Sequence, residues 1–125
     1  MDFTELNRSR FVSLSTFRKT GVAVPTPVWI AKQGDDLLVT TPSGSGKLKR
    51  LRNNPAIEAR SCSRMGKVVD NAPIVSGVAT IEPESPEIIA LFKKKYGFEY
   101  PFVLRMERLF GKGPHDRLII RITPA

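Results

Sequence analysis

Residues 10–41 read RFVSLSTFRKTGVAVPTPVWIAKQGDDLLVTT, and this stretch decides the fold. Arg10–Phe17 alternates apolar with small polar residues, which puts Phe11 or Val12 together with Leu14 on core-facing positions of a strand. Arg18-Lys19-Thr20-Gly21 turns the chain. Val22–Lys32, rich in Val, Ile and Trp, is expected as a second strand, Gln33-Gly34-Asp35-Asp36 as a hairpin turn, and Asp36–Thr41 as a third. Strands joined by turns this tight are antiparallel, because a parallel pair needs a crossover of a dozen residues or more. A doubly wound parallel sheet is therefore excluded.

Working toward the C-terminus, a short helix opens near Ser45 and is stopped by Asn54-Pro55. Ala56–Ser63 is expected as strand four, Arg64-Met65-Gly66-Lys67 as a loop, and Ala72–Ile81 as strand five. Ser85-Pro86-Glu87 then starts a second helix, with Ser as N-cap, Pro in the first turn and an acid beside it. Tyr100–Phe110 reads as a further short helix and Arg117–Thr123 as a final alternating strand. The expectation is a single domain over residues 1–125: mainly β, a six-stranded antiparallel barrel with two or three short helices.

The two clear helices are charged in opposite ways. The one after Ser85 carries Glu87 in its first turn and Lys93, Lys94 and Lys95 in its last, with Gly97 just beyond, the order a helix dipole favours. The one after Ser45 begins Gly46-Lys47-Leu48-Lys49-Arg50, with cations at its positive end. A cation there typically destabilises by roughly 0.3–1 kcal/mol. A bound anion reverses the sign, and phosphate is the usual one. Gly44 and Gly46 would let backbone N–H groups approach such a ligand closely. The alternative is a solvated basic face on a surface helix.

Strand two contains Val24-Pro25-Thr26-Pro27-Val28-Trp29. Proline cannot donate to a ladder, and two prolines at i and i+2 point their missing donors the same way, so one side of this strand cannot pair fully. The segment is either an edge strand protected against aggregation or a gap where a flat ligand lies along the backbone. Trp29 shares a face with the prolines, whereas Thr26 and Val28 face the other way; a lone Trp here serves the core more often than it serves as a stacking platform.

Composition points to anionic partners. Twenty Lys and Arg against twelve Asp and Glu leave a net charge of +8, and seven of the basic residues fall between Ser45 and Lys67 with Glu58 the only acid among them. The single cysteine, Cys62, excludes an intramolecular disulfide, and with no leader-like segment at Met1–Arg10 a cytoplasmic location is expected. No run approaches the roughly 18 apolar residues of a membrane span. One His, one Cys and no clustered ligands imply neither a metal site nor a catalytic triad.

The double-proline strand, the short DLLVTT strand and SGKLKRLRNNP together resemble the pyridoxamine-phosphate-oxidase-like split β-barrels, an FMN-binding-like fold. More narrowly, RKTG, VPTPVW and KLKRLRNNP are similar to the actinobacterial branch thought to use the deazaflavin coenzyme F420. The likeness covers residues 10–82 and is looser beyond. It implies a homodimer with the cofactor in a groove at the subunit interface. It implies that Thr41, Ser43, Ser45, Lys47 and Lys49 hold the cofactor phosphate, with Gly46 and Arg50 also binding the cofactor, while Pro25, Thr26, Pro27, Val28 and Trp29 run along the ring. Arg50 and Arg52 would reach toward an oligoglutamate tail. The chain departs from the pyridoxamine-phosphate oxidases themselves, which carry further substrate-binding Arg and His residues near a longer C-terminus. Here Gly113-Pro114-His115-Asp116-Arg117 stands instead, and His115 reads as a loop residue.

The function so implied is hydride transfer from a reduced deazaflavin to an electron-poor small molecule, with no catalytic side chain needed from the protein. The same barrel holding FMN is the nearest alternative, since both ligands offer a phosphate and a tricyclic ring. A noncatalytic nucleic-acid-binding barrel is the alternative of another class. It fits the charge, but no aromatic residue occurs between Thr40 and Lys67 to stack on bases.

Overall fold

The strand expected over Val22–Lys32 divides in two. Phe11–Phe17 forms β1, Ala23–Val28 forms β2, Ile30–Gln33 forms β3 and Asp36–Pro42 forms β4, with Trp29 at the break. The computed structural model describes residues 3–63, 66–68, 72–97 and 117–124; the expected helix over Tyr100–Phe110, and Arg64, His115 and Asp116, lie outside them. After β4 come α1 (Gly46–Asn53), β5 (Ala56–Cys62), β6 (Val75–Pro83), α2 (Pro86–Tyr96) and β7 (Arg117–Pro124). A 3-10 turn over Phe3–Arg8 precedes β1. The fifth expected strand starts at Val75 rather than Ala72: Pro73 has no N–H to donate, and pairing begins at Ala59↔Val75.

Among the described residues seven strands, not six, form one antiparallel sheet in the order β2-β1-β5-β6-β7-β4-β3, and the sheet they form is not closed. The extra strand is a product of the division at Trp29. On one side of it β2 pairs β1, from Phe17↔Ala23 to Val12↔Val28; on the other β3 pairs β4, from Ile30↔Val39 to Gln33↔Asp36. Both edges of the sheet are thus successive pieces of one stretch of chain. The sheet must curl to bring β1 and β4 to either end of that stretch. The hairpin into β4 turns at Gly34, whose φ of 60° is open to glycine at little strain.

Curling gives the sheet an inner and an outer face. Inside lie Val12, Leu14, Val28, Ile30, Leu37, Val39, Ile57, Ile120 and Ile122, with Leu48 and Leu51 of α1 packed on them. Alternate residues point out, and Ala31, Leu38 and Ile119 meet Ile88, Phe92 and Tyr96 of α2. Leu48 and Leu51 are the buried face of α1. Gly77 of β6 has no room for a side chain: a Cβ would lie 2.8 Å from both Ile122 Cγ2 and the Thr123 carbonyl oxygen. Gly77→Ala is therefore expected to destabilise the protein by about 1–3 kcal/mol, read from urea unfolding.

The second helix follows its sequence signals closely. Ser85 Oγ accepts the Ile88 N–H at 3.2 Å, Pro86 opens the first turn, and Gly97 with φ 59° ends the helix while its N–H bonds the Lys93 carbonyl. Ser85→Ala is expected to lower stability by about 1 kcal/mol, measurable as a shift in the denaturation midpoint. No described helix is long and apolar enough to cross a membrane.

Candidate cofactor-binding site

Helix α1 begins where β4 ends, and its N-cap does not cap. Ser45 makes no hydrogen bond to the first-turn N–H groups, and no acid lies in that turn. Its hydroxyl instead accepts from Thr41 Oγ1 at 3.1 Å, while its own N–H bonds the Pro42 carbonyl at 3.1 Å. Thr41 is almost wholly buried, so this bond satisfies a hydroxyl shut away from water. Two serines thus behave differently in one chain: Ser85 closes its helix, and Ser45 leaves the N–H groups of α1 available to a ligand.

Three cations gather at that N-terminus. Arg50 folds back one turn, so that a Cβ added to Gly46 would sit 2.9 Å from its Nη1. Its Nε donates to Thr16 Oγ1 at 2.6 Å, which ties the start of α1 to the end of β1. Arg117, at the start of β7, donates from Nε to Thr40 Oγ1 at 2.9 Å and from Nη2 to the Thr40 carbonyl at 3.1 Å. Lys47 lies between these groups, half-buried. Burial first, and then the charges of Arg50 and Arg117, hold its ammonium below the ordinary lysine pKa. Among the described residues no carboxylate pairs with Lys47 or Arg50. Donors and positive charge converge here, and the charges of Arg50 and Arg117 disfavour the charged form of Lys47, an arrangement that a negative group would relieve.

Not all the expected residues meet here. Thr41, Ser45, Gly46, Lys47 and Arg50 do, and Ser43 lies half-buried in the loop leading to them. Lys49 is exposed on a different side of α1 from Lys47, and Arg52 is exposed as well. Arg60 projects from the outer face of β5 and donates to the Ala72 carbonyl at 2.9 Å. Cys62 is buried, and burial pushes its thiol pKa up, which disfavours a reactive thiolate. Thr16, Thr40 and Arg117 carry no local sequence signal of a place in this cluster. They reach α1 through strand pairing, and only the fold supplies that register.

The ring-side candidates lie on β2. Its prolines stand opposite Ser15 and Ser13, so within this pair only Val24, Thr26 and Val28 can donate across the ladder. Beyond β2 the sheet has no further strand among the described residues. Pro25 and Pro27 are exposed, Thr26 is half-buried, Val28 is in the core, and a Cβ added at Gly66 would lie 3.7 Å from the Pro27 ring. Thr16, which Arg50 holds, stands opposite Val24. The cation cluster therefore sits level with the start of β2, and the strand runs on from it for about 13 Å to Val28. Trp29 takes another course: it stacks on Tyr96 of α2, with ring centroids 4.5 Å apart and planes 12° from parallel, in the outer cluster.

The start of α1, with its converging cations, thus lies beside the β2 edge of an antiparallel sheet that is not closed. The family model for pyridoxamine 5'-phosphate oxidase matches residues 3–125. The chain belongs to the pyridoxamine 5'-phosphate oxidase family. Membership extends past residue 82, where the resemblance in sequence loosened, to the end of β7. Solved structures share the fold. A conserved hypothetical protein of Mycobacterium tuberculosis is 26% identical, with 99% of this chain and 81% of that one covered and a TM-score of 0.65. A protein named F420 reductase is 21% identical, covering 100% and 94%, with a TM-score of 0.61. An FMN-binding, pyridoxamine 5'-phosphate oxidase-related protein of Nostoc punctiforme is 15% identical, covering 96% and 75%, with a TM-score of 0.60. No curated protein matches the chain. The family is a flavin-type oxidoreductase family, and the positions of Lys47 and Arg50 suit the phosphate such cofactors carry.

Proposed function

We propose that this protein is an F420-dependent oxidoreductase that reduces an electron-poor small molecule, such as a conjugated enone or a quinone-like ring. The observation that carries this is the pair of cations Lys47 and Arg50, which face no carboxylate among the described residues, at the open start of α1 and level with the first residue pairs of β2. Lys47 and Arg50 would hold the cofactor phosphate together with the Ser45 and Thr41 hydroxyls and the backbone N–H groups at Gly46. The backbone of Pro25–Val28 would lie along the ring, and the proline rings would keep another strand from taking its place. Reduced F420 supplies the hydride when bound, so the chain's tasks are to bind, orient and shield. No side chain is assigned a proton, and the product proton comes from solvent.

F420 is preferred to FMN because α1 also presents Lys49 and Arg52 to solvent, where a ligand with several added carboxylates would meet them. A second copy of the chain would complete the groove beside β2. The test is a fluorescence titration of the purified protein with F420 and, separately, with FMN. Saturable quenching by F420 with weak FMN binding supports the proposal. Tight FMN binding with no response to F420 refutes it in favour of the flavin, and salt-sensitive oligonucleotide binding alone refutes both.

A further inference from the structure

The ladder between β1 and β2 stops one rung early. Its register pairs residues whose numbers sum to forty, from Phe17↔Ala23 to Val12↔Val28. The next pairs in line are Phe11 with Trp29 and Arg10 with Ile30. Because the prolines opposite Ser15 and Ser13 cannot donate, the hydrogen-bonded rungs are the alternate ones, and Ile30 with Arg10 would be the next. That rung is occupied by a side chain. The Tyr96 hydroxyl accepts the Ile30 N–H at 2.9 Å and lies 2.9 Å from the Arg10 carbonyl and 3.0 Å from the Ile30 carbonyl, so its single proton serves one of the two. A strand-to-strand bond is replaced by strand to hydroxyl to strand.

Lys95 continues the seam. Its ammonium donates to the carbonyls of Ile30 at 2.7 Å, Asn7 at 2.7 Å and Ser9 at 3.0 Å, with Asn7 Oδ1 at 3.1 Å. Two successive side chains from the last turn of α2 thus fill the space between residues 7–10 and Ile30. Tyr96 is 3% exposed and its ring is fixed from another side by Trp29.

We propose that Tyr96 is the wedge that holds the sheet split at Trp29 and so positions β2 as a free edge. With the rung occupied, the chain leaves β1 at Val28 and crosses to β4 at Ile30. Without the hydroxyl, Ile30 and Arg10 would be left to bond each other, and β2 would be drawn along with them. Tyr96 is a positioning residue: it touches the strand next to the proposed site and not the site itself. Its link to cofactor binding rests on the function proposed above; its role in the split does not.

The test is Tyr96→Phe, which keeps the ring and removes the oxygen. The only tryptophan, Trp29, reports whether the ring still stacks, and its emission is expected to stay as in the wild type. Amide exchange of Ile30 should change by about tenfold or more, with backbone shifts reaching Val28 and Thr26. F420 affinity should fall by roughly five- to tenfold, as expected for a displaced strand. Unchanged Ile30 exchange and unchanged shifts at Val28 and Thr26 overturn the wedge. Changed exchange with unchanged affinity overturns the positioning role. If the wild type binds neither cofactor, the proposed function fails, and the amide measurements still decide the wedge. Should the variant not fold, the wild-type Tyr96 hydroxyl proton decides: it should be visible by NMR and close in space to the Ile30 N–H, and a freely exchanging hydroxyl would contradict the assignment.

Discussion

Lys47→Ala is expected to weaken F420 binding by roughly ten- to a hundredfold, while the ligand-free protein keeps or slightly gains stability. A hydrogen bond between an ammonium and a phosphate contributes about 1.5–3 kcal/mol, and every 1.4 kcal/mol is a factor of ten in affinity. In the empty protein the same ammonium is held among Arg50, Arg117 and the positive end of α1, partly out of water. Removing it relieves repulsion, with a gain of up to about 1 kcal/mol. The sign can be checked against its titration. Because the folded pKa is lowered, the charged form is disfavoured by folding, and that penalty is present at neutral pH and fades as pH rises through the folded pKa. Lys47→Met keeps the apolar stem and should show the same loss of affinity, which separates charge from packing. Lys49→Ala, on the exposed side of the helix, should lower F420 affinity by only about two- to threefold, and less at high salt, as a screened contact with the carboxylate tail would. An unfolding temperature that drops by many degrees for Lys47→Met, with affinity intact, would make Lys47 a structural residue.

Phe92→Ala is expected to lower the unfolding free energy by about 3–5 kcal/mol, a large share of the 5–15 kcal/mol typical of a domain. Phe92 is fully buried between α2 and the outer face of the sheet, against Leu38 and Ile119. Truncation at a fully buried position leaves a cavity as well as lost transfer energy. Urea unfolding should show a lower midpoint. The stacking of Trp29 on Tyr96 should loosen with it, changing the tryptophan emission of the folded protein. A loss below about 1 kcal/mol would mean that α2 does not dock through this face.

Local chemistry made much of this legible in the sequence. The cap at Ser85, the proline after it and the glycine at residue 97 each act within a turn of their own position, and α2 formed between them. The cations of α1 were equally plain, because a charge at a helix end is a local fact. What stayed hidden depends on which strand lies beside which. Val22–Lys32 is a continuous run of strand-forming residues, and only pairing with β1 on one side and β4 on the other breaks it at Trp29. The same holds for Arg117, which reaches the α1 cluster because β7 pairs β4 through Pro42↔Arg117. Trp29 illustrates both. Alternation put it on the outer face with the prolines, but the partner it meets there is Tyr96, 67 residues away in sequence.

The most direct test of the cation cluster as a cofactor phosphate site is an amide chemical-shift titration of the ¹⁵N-labelled protein with F420. Saturating shifts in two groups, Ser43–Leu48 at the start of α1 and Val24–Val28 along β2, are the predicted result. Shifts confined to other regions, or none at ligand concentrations that saturate a family member, would contradict it.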